Sequence, residues 1–150
     1  MTNNEVISIL HNLIQSCTRA YEVFRTAAES VQNSEFRRLF NIFSQQRAQF
    51  IKELQSEVHR LGGEAGEGSD TMSGIDNTVP FRSSTTAKQA GVRDEATIVT
   101  ECQREEEMAV NDYQEALKSD LPLDVQYVVK RQYMDIKDAY DRIRILQRAA

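Results

Sequence analysis

Cysteine, histidine and proline each occur only twice in this 150-residue chain, and tryptophan is absent. Cys17 and Cys102 lack the Cys-x-x-Cys spacing of zinc and redox sites. We interpret them as two buried thiols in a reducing compartment, with a disulfide or redox pair as the alternative. The two histidines, His11 and His59, are too few and too isolated to support a Ser-His-Asp arrangement.

The chain also lacks a long hydrophobic run and a basic cluster. No apolar stretch approaches the ~20 residues that a membrane-spanning helix needs. The first residues, Met1 to Glu5, have neither the basic nor the apolar part of a signal peptide. The formal net charge is -5, whereas nucleic-acid binding requires clustered lysine and arginine. The sequence therefore predicts a cytoplasmic protein that binds neither a membrane nor nucleic acid.

Hydrophobic residues recur every three or four positions in four stretches, the spacing that places them on one side of an α-helix. Thr2 and Glu5 have the spacing of a capping box before the first helix. Ser34 is the expected N-cap of the second helix, and Gly62 with Gly63 is a helix stop. The predicted helices cover about residues 4–32, 35–61, 94–118 and 122–148.

A segment of about residues 62–93 separates the second helix from the third and is rich in glycine, serine, threonine and aspartate. The other two connections are short, so the helices form two hairpins joined by one long crossover. A simple up-down-up-down bundle needs only short loops, whereas a ferritin-like bundle has one long crossover. The sequence therefore predicts a single all-α domain over residues 1–150, an antiparallel four-helix bundle of ferritin-like type.

The usual metal ligands of that bundle are missing. Ferritin-like di-iron sites use a Glu from each of two helices and Glu-x-x-His from each of the other two. Residues 8 and 56 are both serine, so neither histidine completes this motif. His11, His59 and Glu57 could share a metal near one end of the bundle, but two surface histidines are the simpler interpretation. A carboxylate-only metal or ferroxidase site remains an alternative hypothesis, with candidate ligands Glu53, Glu101, Glu105, Glu106 and Asp135.

An acidic run from Glu101 to Glu107 lies on the third helix, and the apolar stripe of that helix passes through Glu105 or Glu106. A bare buried carboxylate is costly, so the inward one should be paired. Counting along the helices places both residues level with arginines, whose planar fork binds carboxylate. We therefore predict that Arg19 or Arg47 forms a buried or half-buried ion pair with one of them. The predicted members of this mid-bundle layer are Arg19, Gln46, Arg47, Glu105, Glu106 and Gln132.

Segments of all four helices are similar to one known family. These segments are Phe24–Glu29, Phe36–Phe40, Gln45–Leu54, Leu61–Glu64, Tyr113–Pro122 and Arg131–Arg144. In order and spacing they resemble the bacterial ferritin-like family called domain of unknown function 2383. The resemblance implies a ferritin-like bundle without an established activity. It also implies an acidic residue where this chain has Arg19 and a histidine where it has Tyr140, so two candidate ligands are lost here.

These observations predict a non-enzymatic bundle without a cofactor, which acts through self-association or a protein partner. We expect a homodimer, because two-fold dimers are the commonest assembly and because the second helix is rich in aromatic residues. We interpret its phenylalanine series as core or as an exposed oligomer interface. The series comprises Phe36, Phe40, Phe43 and Phe50.

Overall fold

The computed structural model describes residues 1–63 and 94–149, and this part of the chain forms four α-helices. They are α1 (Asn3–Ser30), α2 (Ser34–Arg60), α3 (Glu95–Leu117) and α4 (Leu123–Ala149). The predicted all-α four-helix bundle is confirmed. The helix ends differ from the predicted ones by one or two residues, and residues 64–93 of the predicted crossover lie outside the described residues. None of the described helices is long and apolar enough to cross a membrane.

Side chains next to the helices determine where α1 and α2 begin. Thr2 and Glu5 form the predicted capping box of α1. The N-cap of α2 is Asn33, whose side-chain oxygen accepts hydrogen bonds from the backbone N–H groups two and three residues later, at 2.8 and 3.1 Å. The prediction of Ser34 was wrong by one residue. Asparagine and serine are both good N-caps, so composition alone does not decide between adjacent candidates.

The end of α2 is fixed by the predicted pair of glycines. Gly62 has φ of +90°, a left-handed conformation that glycine adopts without steric cost. Its N–H donates to the carbonyl of His59 at 3.0 Å, and the Gly63 N–H donates to the carbonyl of Val58 at 2.9 Å. These two bonds form a Schellman motif. A Cβ at Gly63 would lie 2.9 Å from side-chain atoms of Ile7 and Val58, so the missing side chain lets the chain pass close to α1.

Contacts at the helix ends show the direction of each helix. The Asn3 side chain donates to the carbonyl of Leu61 at 3.4 Å, so α1 begins beside the end of α2. The Glu95 carboxylate accepts hydrogen bonds from the backbone N–H groups of Gln32 and Asn33, so α3 begins beside the α1–α2 turn at the opposite end. Helices α2 and α3 therefore run in the same direction, against α1 and α4. This order is the one that a long crossover between the second and third helices produces.

Two hydrophobic clusters fill the interior, one toward each end of the bundle. The cluster around Phe24 includes Phe36, Phe40 and Phe43 of α2, while Phe50 belongs to the other cluster. All four phenylalanines of α2 are at most 5% exposed. They are therefore core residues, and the alternative interpretation of an exposed aromatic interface on α2 was wrong, because their spacing places them on the stripe that faces the other helices.

Candidate functional site

An ion pair lies at the centre of the bundle, between the two hydrophobic clusters. Arg47 of α2 donates from Nη2 to Oε1 of Glu106 on α3, and neither side chain has any exposed surface. Arg47 follows Phe43 by four residues and precedes Phe50 by three, so the helical period turns its side chain inward. The structure thus brings together two members of the predicted mid-bundle layer.

The Arg47 guanidinium is surrounded by aromatic rings as well as by the carboxylate. Its central carbon Cζ lies 5.6 Å from the ring centroid of Phe24 and 5.8 Å from that of Phe50, within the range of cation–π attraction. Nη1 donates to the side-chain oxygen of Gln46 at 2.7 Å. Burial alone would lower the pKa of Arg47, but the adjacent Glu106 carboxylate raises it overall. The arginine therefore remains a fixed positive charge in the core.

Glu106 is the acidic half of this pair. Burial raises the pKa of Glu106 above its ordinary value, because apolar surroundings disfavour the charged form, and the Arg47 charge opposes that rise. If Glu106 were neutral, the buried charge of Arg47 would have no counter-charge. The ionised form of Glu106 is therefore favoured. Within the described residues, Glu106 Oε2 and Arg47 Nε have no hydrogen-bond partner. One hydrogen bond therefore joins the two side chains, rather than the two that the arginine fork allows.

A chain of hydrogen bonds runs from a buried thiol toward the surface and connects all four helices. The Tyr113 hydroxyl donates to Gln132 Oε1 at 2.7 Å. Since its single hydrogen is used there, the Cys17 thiol is the donor in the 3.1 Å contact between Sγ and the tyrosine oxygen. Gln132 Nε2 donates to Glu53 Oε1 at 2.8 Å, and Arg131 donates to the same oxygen at 2.9 Å.

Tyr113 and Cys17 were not predicted as members of the layer. Both lie on apolar stripes, and the pattern indicates only that a buried tyrosine hydroxyl needs a hydrogen-bond partner. The pairing with Gln132 depends on which side chains of α1, α3 and α4 lie at the same height. The sequence signal for this series of hydrogen bonds is Gln132, a polar residue on an otherwise apolar stripe of α4. A fully buried amide also requires hydrogen-bond partners.

A second ion pair lies at the rim of the layer. The Arg19 side chain is 48% exposed, and its Nε lies 3.5 Å from Glu105 Oε1. Its Nη2 also donates to Asp112 at 3.2 Å. Burial raises the pKa of Glu105, while Arg19 acts in the opposite direction. The arginine at the centre of the layer is therefore Arg47, and Arg19 forms a half-exposed pair with the mostly buried Glu105 beside it.

The carboxylates of the alternative metal hypothesis do not converge on one point. Glu53, Glu105 and Glu106 are each engaged by an arginine, and Glu101 and Asp135 are exposed. In residues 1–63 and 94–149, no group of three or more His, Cys, Asp or Glu side chains could hold a metal ion. The di-iron centre that a ferritin-like fold implies does not fit these residues, because the central carboxylate already binds a guanidinium.

The remaining candidate ligands have other contacts. Tyr140, at the position where the family resemblance implies histidine, is half-buried and donates to Glu107 Oε2 at 3.3 Å. His59 is exposed, and Glu57 forms a salt bridge with Arg60 one helical turn later. The weaker site proposed for the two histidines and Glu57 is therefore not assembled in the part of the chain that the structure describes.

Both thiols should be almost unreactive in the folded protein. Burial raises the pKa of Cys17 from 9.0 to about 11, and it also raises the pKa of Cys102. Because the thiolate is the reactive form, the shift at Cys17 lowers its fraction at neutral pH about a hundredfold. We expect iodoacetamide to label the native protein at least that much more slowly than the guanidinium-denatured protein, and faster as the pH rises. Rapid labelling of either cysteine in the native state, located by peptide mass, would contradict this burial.

The fold and the layer define a class: a four-helix bundle of ferritin-like topology whose central polar layer is occupied by an arginine–glutamate pair. A family model described as "Domain of unknown function (DUF2383)" matches residues 5–119. The chain belongs to this family, as the sequence resemblance indicated. No curated protein matches the chain.

Among solved structures, the chain is similar to a two-domain protein from Anabaena variabilis that contains DJ-1/ThiJ/PfpI-like and ferritin-like domains. The TM-score is 0.77 at 13% sequence identity, and the match covers 99% of this chain and 37% of that one. This chain thus spans little more than a third of the solved protein. At such low identity the similarity concerns the fold alone, and it agrees with the ferritin-like topology.

Proposed function

We propose that this protein is a non-enzymatic bundle that acts through self-association or a protein partner. The observation that supports this most strongly is the ion pair of Arg47 and Glu106 in the layer where a ferritin-like protein would bind metal. A buried guanidinium repels a divalent cation, because charge interactions are strong where water is excluded. The Glu106 carboxylate beside it already binds this guanidinium. A metal could bind there only after this pair had separated.

The carboxylates around the pair extend the same argument. Glu53 accepts hydrogen bonds from Arg131 and Gln132, at 2.9 and 2.8 Å. Glu105 lies 3.5 Å from Arg19. A di-iron centre needs several inward carboxylates that are free to bind metal, whereas Glu53, Glu105 and Glu106 each have an arginine partner here. These ion pairs support the part of the proposal that the protein acts without iron, and we extend it to a protein without any cofactor.

A cytoplasmic location is part of the proposal. Cys17 and Cys102 are both buried and unpaired. Cysteines remain reduced in this way in compartments that contain glutathione and thioredoxin. The resemblance to a bacterial family supports a bacterial origin as a further part of the proposal.

Iron oxidation tests the proposal. We expect the purified protein to contain no stoichiometric iron, and Fe(II) added in air to oxidise no faster than in buffer. Metal content is measured by mass spectrometry and oxygen consumption with an electrode. The opposite result would be stoichiometric iron with oxygen consumption that Glu106→Ala abolishes and Glu115→Ala preserves. Glu115 is a suitable control because it is an exposed glutamate on the same helix, and it forms a salt bridge with Lys118 at the surface.

A further inference from the structure

We draw no further inference here: the strongest candidate, the groove between α1 and α3 that is lined by Ile9, Leu13, Arg19, Asp112 and Glu115, carries no proposal, because its charged side chains already form salt bridges and nothing in the described part of the structure shows what would occupy it.

Discussion

Replacing Arg47 with methionine should lower the free energy of unfolding by about 3–5 kcal/mol at neutral pH. The change leaves Glu106, which has no exposed surface, without its cation. Glu106→Leu should have a similar effect, because it leaves the arginine unpaired. The double variant should be less destabilised than either single variant, since it removes both charges and keeps most of the buried volume. Guanidinium unfolding followed by far-UV circular dichroism measures all three.

The pH dependence of stability distinguishes the two single variants. Burial raises the pKa of Glu106, and loss of Arg47 removes the group that opposes this rise. A carboxyl with a higher pKa in the folded state contributes stability below its unfolded pKa, and this contribution is lost as the pH rises through the folded pKa. Arg47→Met should therefore regain stability, relative to the unmodified protein, as the pH falls toward the ordinary value of 4.5. Glu106→Leu should not, because arginine does not titrate there.

The exposed pair of Arg142 and Asp138 provides a matched control for the ion-pair experiment. Its two atoms lie 3.0 Å apart, but the side chains are 59% and 64% exposed. Solvent screening makes such pairs weak, so Arg142→Met should change stability by only about 0–1 kcal/mol. If Arg47→Met and Glu106→Leu were equally mild and additive, the two side chains would not meet in the core.

Truncation of Phe24 to alanine should also cost about 3–5 kcal/mol of unfolding free energy. The ring has no exposed surface, and its centroid lies 6.0 Å from Phe40 and 5.5 Å from Phe43. Its loss would leave a cavity and remove one of the two rings beside the Arg47 guanidinium. Phe24→Leu should be milder because it fills much of the volume. Guanidinium unfolding measures both variants, with the half-exposed Ile42→Ala as a control expected within about 0.5 kcal/mol. A cost for Phe24→Ala near that of the control would contradict the described packing.

The helices of this protein could be predicted because their signals are local. A period of three to four residues places the apolar side chains on one face, and capping residues such as Thr2 and Glu5 mark an end. The glycines at 62 and 63 could likewise be predicted as a helix stop, because glycine adopts a positive φ and allows a close approach of the backbone at little steric cost. The order of the four helices followed from the lengths of their connections. Adjacent capping residues were less informative. Asn33 and Ser34 are both good N-caps, and the prediction chose Ser34 where the structure has Asn33.

The central layer could be predicted only in part. Counting along the helices gives the height of a residue but not the direction of its side chain, so the sequence left Arg19 and Arg47 as alternatives. The structure distinguishes them, because Arg47 has no exposed side-chain surface whereas Arg19 is 48% exposed. The link from Cys17 through Tyr113 to Gln132 depends on side-chain rotamers and on contacts between different helices. A local sequence pattern determines neither the rotamers nor these contacts.

The central ion pair joins the two helical hairpins, since Arg47 belongs to the first and Glu106 to the second. Hydrogen bonds such as that of Gln132 with Glu53 also join the hairpins, but the apolar surfaces between them are non-directional and by themselves tolerate sliding along the common axis. A slip of one helical turn, about 5.4 Å, would separate the two charges and leave both in hydrocarbon. Each misaligned assembly would therefore contain two unpaired buried ions. The ion pair in the central polar layer thus favours one axial register of the two hairpins over the registers that differ by a helical turn.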